Sequence, residues 1–362
     1  MSKGFQIRKC LHLLTIPPLR FLLASSTFLV LTLPATQVSA QNLVSQDLDA
    51  AIFYQQGVTR YQRRDFQAAE SAFRQALQRD TNISSARNYL GNILLQQNRL
   101  DLAIQEYGEA IRLNPNVGEA YYNLGLALQQ QGQKEAAITA YRQALVINPT
   151  MAAAHYNLGF VLYEQDQRQE AIAAYQQAIN FDGNNPNAYF NLAIAQQQEG
   201  IVEKAIDNYR QVLRLDPNND RAYNNLGSLM VIQGQTSEAM TIYQQAIRQN
   251  PKNASAYYNL GVILYNQGNL KTASQVLKRA SKEYREQGDI EQGEKTDQIV
   301  QQIDQLLAPK SATTIPEPAQ TTIEIPSDIP SAIEPPVQTI EEIPPAPIVP
   351  NLTPEETNTM GK

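Results

Sequence analysis

Cysteine is nearly missing from this chain. The single copy among 362 residues is Cys10, so everything after it can form no disulfide and offers no thiolate to a metal or an acyl group. Histidine is almost as scarce, with two copies, and the one beyond the N-terminal segment is His155. No histidine pair, glycine-rich phosphate loop or serine nucleophile elbow accompanies it. Catalysis needs a converging acid, base, nucleophile or metal set. None is visible, so neither an enzyme, a metal site nor a cofactor is expected. A basic patch is lacking too. The formal charge is -6, and nothing resembles the clustered cations that neutralise phosphates, which excludes nucleic acid as an expected partner.

The charge is unevenly placed. Residues 1–40 carry Lys3, Arg8, Lys9 and Arg20 and no acid, whereas the stretch from Pro309 holds eight acids against Lys310 and Lys362. The N-terminal apolar run, Phe21 to Leu33, is 13 residues long, short of the roughly 20 that span a membrane. A positive start, this run, Pro34, and the small residues Val38-Ser39-Ala40 together have the layout of a cleaved secretory signal. Left uncleaved, the same segment would serve as a membrane anchor, and the membrane is a partner only in that case. Ile7-Arg8-Lys9 before Cys10 is not a lipoprotein cleavage motif. Residues 41–49 form a short polar lead-in. The expectation is an exported chain, periplasmic, lumenal or secreted, with membrane anchoring as the alternative.

What the chain has in abundance is one phrase repeated every 34 residues. Leu-Gly recurs at Leu90-Gly91, Leu124-Gly125, Leu158-Gly159, Leu226-Gly227 and Leu260-Gly261, with Leu192-Ala193 in the vacant slot and Gln56-Gly57 marking a worn first copy. Counted so that this glycine is position 8, seven copies occupy 50–83, 84–117, 118–151, 152–185, 186–219, 220–253 and 254–287. Position 20 is alanine in all seven (Ala69, Ala103, Ala137, Ala171, Ala205, Ala239, Ala273). Position 24 is Phe73, then Tyr107, Tyr141, Tyr175, Tyr209 and Tyr243, then Leu277. Two helices fit each copy. Helix A fills roughly the first 14 positions, a turn follows near Gly132, Gly200, Gly234 or Gly268, and helix B runs to Pro115, Pro149, Pro217 or Pro251, which stop it.

This pattern of an aromatic, Leu-Gly, alanine, a second aromatic and proline resembles the tetratricopeptide repeat family, over residues 50–287. The resemblance implies an all-α fold, a right-handed α-solenoid of stacked antiparallel helix pairs, that binds a protein or peptide on its concave side without catalysing a reaction. His155 stands at position 4, where Tyr121 and Tyr189 stand in neighbouring copies, and reads as a packed ring. Residues 288–308, with Ile290, Ile299, Ile303, Leu306 and Leu307 in a loose apolar stripe, read as a helix capping the last repeat. From Pro309 to Lys362, twelve of 54 residues are proline and none is aromatic. That stretch reads as a disordered tail of polyproline II character: a spacer, a docking segment, or a strand occupying the groove in autoinhibition or self-association; a membrane-tethered assembly factor is the alternative if residues 1–40 stay attached.

A step of about 100° per residue puts positions 4, 7, 8 and 11 of helix A on one side, facing helix B, and positions 2, 6, 9 and 13 on the other. The second set is the expected partner surface. It contains Asn123, Asn157, Asn191, Asn225 and Asn259 at position 6, Leu126, Phe160 and Ile194 at position 9, and Gln130 and Gln198 at position 13. A row of amides that donate and accept suits an extended peptide backbone, but the asparagines serve equally well as support between helices. The cation pair with which some family members hold an acidic C-terminus is replaced by Ala153 and Asn157, so capture of a terminal carboxylate is not expected. Partner identity and oligomeric state do not follow from these residues.

Overall fold

The computed structural model describes residues 47–308. The expected signal segment, most of the lead-in and the proline-rich tail lie outside them. Among the described residues there are fifteen helices and no strand. They are α1 (Leu48–Gln62), α2 (Phe66–Arg79), α3 (Ser84–Gln96), α4 (Leu100–Leu113), α5 (Gly118–Gln130), α6 (Lys134–Ile147), α7 (Ala152–Glu164), α8 (Arg168–Phe181), α9 (Pro186–Gln198), α10 (Val202–Leu215), α11 (Asp220–Ile232), α12 (Thr236–Gln249), α13 (Ala254–Asn266), α14 (Leu270–Glu286) and α15 (Ile290–Leu307). From α1 to α14, odd and even helices pair as A and B of successive repeats, and each pair packs on the next to form an α-solenoid, with α15 added at its end.

Every A helix from α3 onward begins at position 1 of its repeat and is 13 residues long. The turn after it places position 15 in the left-handed region in all seven repeats: Gly132, Gly200, Gly234 and Gly268, but also Arg64 (φ 61°), Asn98 (φ 57°) and Asp166 (φ 60°). Asparagine and aspartate enter this region at modest cost, whereas arginine has no local hydrogen bond to offset the crowding of its Cβ.

The B helices stop two residues before the prolines, so proline is not the constant terminator. Position 31 is Asp80, Asn114, Asn148, Asp182, Asp216 or Asn250, and each side chain accepts the backbone N–H two residues on, at 2.9–3.3 Å. This Asx turn closes the helix equally well where Thr81 or Gly183 replaces proline.

The packing rule inside a repeat is steric. The ring at position 24 lies flat against the backbone at position 8. A Cβ on Gly125 would sit 2.5 Å from Cε1 of Tyr141, and on Gly91 2.6 Å from Cε1 of Tyr107. In the first copy Gly57 meets Phe73 and in the last Gly261 meets Leu277, each at 2.6 Å. The alanines at position 20 are fully buried beside these rings. Ala193 is the one residue with a Cβ accommodated at this contact.

The stack ends on α15. Asp289 caps it by accepting from the Gln292 backbone N–H at 3.1 Å. Its buried face is Gly293, Thr296, Ile299, Val300 and Ile303, narrower than the expected stripe. Ile290, Leu306 and Leu307 are exposed, because the helix is held at a register set by Ser281 Oγ donating to the Gly293 carbonyl (3.1 Å) and by Ser274 and Lys278 donating to Asp304 at 2.7 and 2.9 Å.

Arg64→Gly is expected to raise stability, and Gly132→Ala to lower it, by about 1 kcal/mol each, read as opposite shifts of Tm or of the denaturant midpoint.

Candidate partner-binding face

The five asparagines of position 6 form a row through the stack, and they are buried, with 0–4% of their surface exposed. The amide nitrogens of the first four donate inside the protein. Asn157 Nδ2 donates to the Tyr122 hydroxyl (3.1 Å) and Asn191 Nδ2 to the Tyr156 hydroxyl (2.8 Å). In both cases the acceptor is the position 5 ring of the preceding repeat. Repeat 186–219 carries Phe190 there, which has no hydroxyl, and Asn225 Nδ2 donates instead to the position 24 hydroxyl of Tyr209, at 2.9 Å. Asn123 Nδ2 donates to Asn92 Oδ1 (3.1 Å), which also accepts from Tyr107 (2.8 Å). Asn259 is buried in the same row.

An angular argument applied to one helix at a time places position 6 toward open space. In the stack the neighbouring repeat covers it: consecutive A helices α3, α5, α7 and α9 touch one another, and the asparagines bond into the preceding repeat. The same packing buries Leu126, Phe160 and Ile194. Position 13 stays open: Gln130, Glu164, Ile232 and Asn266 are exposed and Gln198 half-exposed. Gln130 Nε2 donates to Asn98 Oδ1 (3.2 Å), and Gln198 Oε1 accepts from Arg168 Nε (3.0 Å). Position 2 adds Glu119, Ala153, Asn187, Arg221 and Ser255, all half-exposed, and the Arg221 guanidinium lies 4.7 Å over the centre of the Phe190 ring. The face thus has a buried layer of asparagines and aliphatic residues beneath an open layer of amides, one isoleucine and few charges.

The rings beside this layer are phenols held neutral. Burial pushes the Tyr122 hydroxyl up to about 12, with the Asn157 hydrogen bond acting the other way. Burial likewise raises Tyr61 to about 12 and Tyr107 and Tyr175 well above the ordinary value.

His155 is half-buried, on the side facing the B helices, and not enclosed as its position suggested. It stacks on Phe181 (5.5 Å between centres, 20° between planes), and its Nε2 is 2.8 Å from the Pro149 carbonyl oxygen. Among the described residues no cluster of three or more His, Cys, Asp or Glu side chains is placed to hold a metal ion. No helix among them is long and apolar enough to cross a membrane.

A second periodic feature escaped the reading of the sequence. Position 14 of one repeat meets position 18 of the preceding one. Gln131 Nε2 donates to Asp101 Oδ1 (2.5 Å), Gln165 Nε2 to Glu135 Oε1 (2.8 Å) and Gln233 Nε2 to Glu203 Oε1 (2.9 Å). Between repeats 152–185 and 186–219 the two sides are exchanged, and Gln169 donates to Glu199. An acid at position 18 facing a glutamine one repeat minus four residues later was the available signal.

Family models match this chain. Those described as TPR repeat cover residues 91–132, 129–166, 161–200, 198–231 and 227–268, and one described as tetratricopeptide repeat covers 254–287. Together they run without a gap from 91 to 287, more than half of the 362 residues. Similar solved structures include MamA, 28% identical over 46% of this chain and 96% of its own (TM-score 0.44). YrrB, titled a TPR protein with an unusual peptide-binding site, is 24% identical over 50% and 93% (TM-score 0.46). PilF of Pseudomonas aeruginosa is 21% identical over 56% and 92% (TM-score 0.48). No curated protein matches.

Asn191→Ala removes a buried donor from Tyr156 and is expected to cost about 1–3 kcal/mol, measured by denaturant unfolding. Alkaline pH should also weaken the stack. Phenols raised in the folded state favour folding fully below the unfolded value near 10 and lose that contribution as pH rises toward about 12. Circular dichroism and tyrosinate absorbance are expected to change together within that window.

Proposed function

The chain belongs to the tetratricopeptide repeat family, and from that premise we propose that it is a non-catalytic scaffold holding an extended polypeptide along the open layer of its A helices. The observation that carries this reading is the contrast between the two layers. Position 6 and position 9 are packed and internally bonded, so they form a stiff floor. Position 13 offers Gln130, Gln198 and Asn266, whose amides donate and accept as a peptide backbone requires. In the same row stands Ile232, 70% exposed, an apolar residue of a kind that contributes to binding when a partner covers it. A partner ordered on a floor that does not move loses less binding energy to reorganisation of the scaffold. The asparagines enter this proposal as the support that fixes the spacing of the contacts.

The same proposal places the protein outside the cytoplasm. Its support is the charged-then-apolar segment 1–40 and a chain with no cysteine beyond Cys10, which an oxidising compartment would leave unchanged.

The test is a photoreactive residue introduced at Ile232 in the full-length chain, with the cross-linked polypeptide identified and its affinity then measured. Gln130→Glu combined with Ile232→Asp is expected to weaken that affinity about tenfold or more at unchanged Tm. Equal affinity in the double variant would overturn the assignment of this face.

A further inference from the structure

On the opposite side of the stack, where the B helices line up, one junction departs from the period. Position 11 of helix A is Leu94, Leu128, Leu162, Met230 and Leu264 in the other repeats from 84 onward, and Gln196 in repeat 186–219. Position 23 of helix B is Ala140, Ala174, Ile242 or Val276 nearby, and Asn208 in that same repeat. The two substitutions meet: Asn208 Nδ2 donates to Gln196 Oε1 at 2.7 Å. Gln196 is 2% exposed.

A cleft of about 340 Å³ opens above this pair, walled by α8 and α10 with α9 as its floor. Gln196 lines it, and among the described residues no hydrogen bond holds its Nε2. Gln176 and Asn180 bring two further carboxamides from α8, and Tyr189 and Leu192 supply the apolar part of the lining. Lys204 and Asp207 stand at the rim with opposite charges. The chemistry is therefore that of a neutral group that accepts and donates at once and has a short aliphatic stem. A buried amide where every neighbouring repeat packs an aliphatic side chain lowers stability, and such a break in a local rule marks a functional position when a cleft with unmet hydrogen-bonding capacity accompanies it.

We infer that this cleft is a second docking site, separate from the A-helix face, for an amide group presented by a polypeptide: an asparagine or glutamine side chain, or an exposed peptide group in a turn. Gln196 Nε2 would donate to the incoming carbonyl, the amides of Gln176 and Asn180 would accept and donate at its edge, and Leu192 and Tyr189 would cover the stem. One scaffold would then hold two segments on its two sides.

The test titrates the full-length chain with N-acetylasparagine amide while the side-chain amide resonances of Gln196 and Asn208 are followed by NMR, with glucose as a control for a carbohydrate ligand. The diamide is expected to shift both resonances saturably and glucose to shift neither. Gln196→Leu, which restores the residue type of the other repeats, is expected to raise Tm and to weaken the diamide about tenfold, read at Asn208. Asn208→Ala, read at Gln196, should weaken it similarly, and it serves alone if the leucine variant does not fold. No shift with the diamide, an equal shift with glucose, or unchanged affinity in the folded variants would overturn the proposal.

Discussion

The structure depends on a missing methyl group. At position 8 of five of the seven A helices the backbone comes so close to the ring at position 24 of its own B helix that a Cβ would overlap it, at 2.5 Å for Gly125 and Tyr141, and in the last repeat Leu277 takes the ring's place. This contact sets the distance between the two helices of a repeat. The distance in turn fixes where the alanine of position 20 lies and how one pair meets the next. Because the same contact recurs, the stack is held by repeated local interactions and by those between neighbours, and no residue in the first repeat needs to sense the last. Ala193 shows that one exception is absorbed when the rest of the array is regular.

The second organising element is polar. Asparagine amides reach from one repeat to a tyrosine hydroxyl of the one before, in a layer shielded from water. Such bonds have high stakes: satisfied, they define one register of stacking, and broken, they leave a buried donor or acceptor without its partner. The Phe190 exception makes the point. With no hydroxyl at position 5, Asn225 finds one on Tyr209 instead, and the bond survives by changing its source. The open side chains above this layer have their spacing held from beneath.

Much of this was legible in the residues. A 34-residue period with small residues in phase identifies helix pairs, because glycine and alanine at fixed separations are required only where helices touch. What was not legible depends on neighbours that a single repeat does not contain. A helical wheel turns position 6 outward; only the neighbouring repeat buries it. The left-handed turn at position 15 is announced by glycine in four repeats and concealed by Arg64, Asn98 and Asp166 in three. The Asx turn at position 31 was hidden by the more conspicuous proline beside it. Ile290, Leu306 and Leu307 looked like core because apolarity was counted without knowing the register at which Asp304 and Gly293 pin α15. On the candidate face, the amides of position 13 were recognised from sequence and are open, whereas the asparagines were recognised as a row but are covered.

The exchange of acid and amide between Gln169 and Glu199 has a consequence for how repeats may be rearranged. At three of the six junctions position 18 is the acid and position 14 the amide, and these edges match one another. Residues 152–185 carry amides on both sides, and residues 186–219 carry acids on both. Excising the first would set Glu135 against Glu199, two carboxylates face to face; excising the second would join Gln169 to Gln233, two amides that still bond. The array therefore has an address written on its edge: residues 186–219 can be lost without a clash, whereas residues 152–185 cannot be removed alone without bringing two carboxylates together.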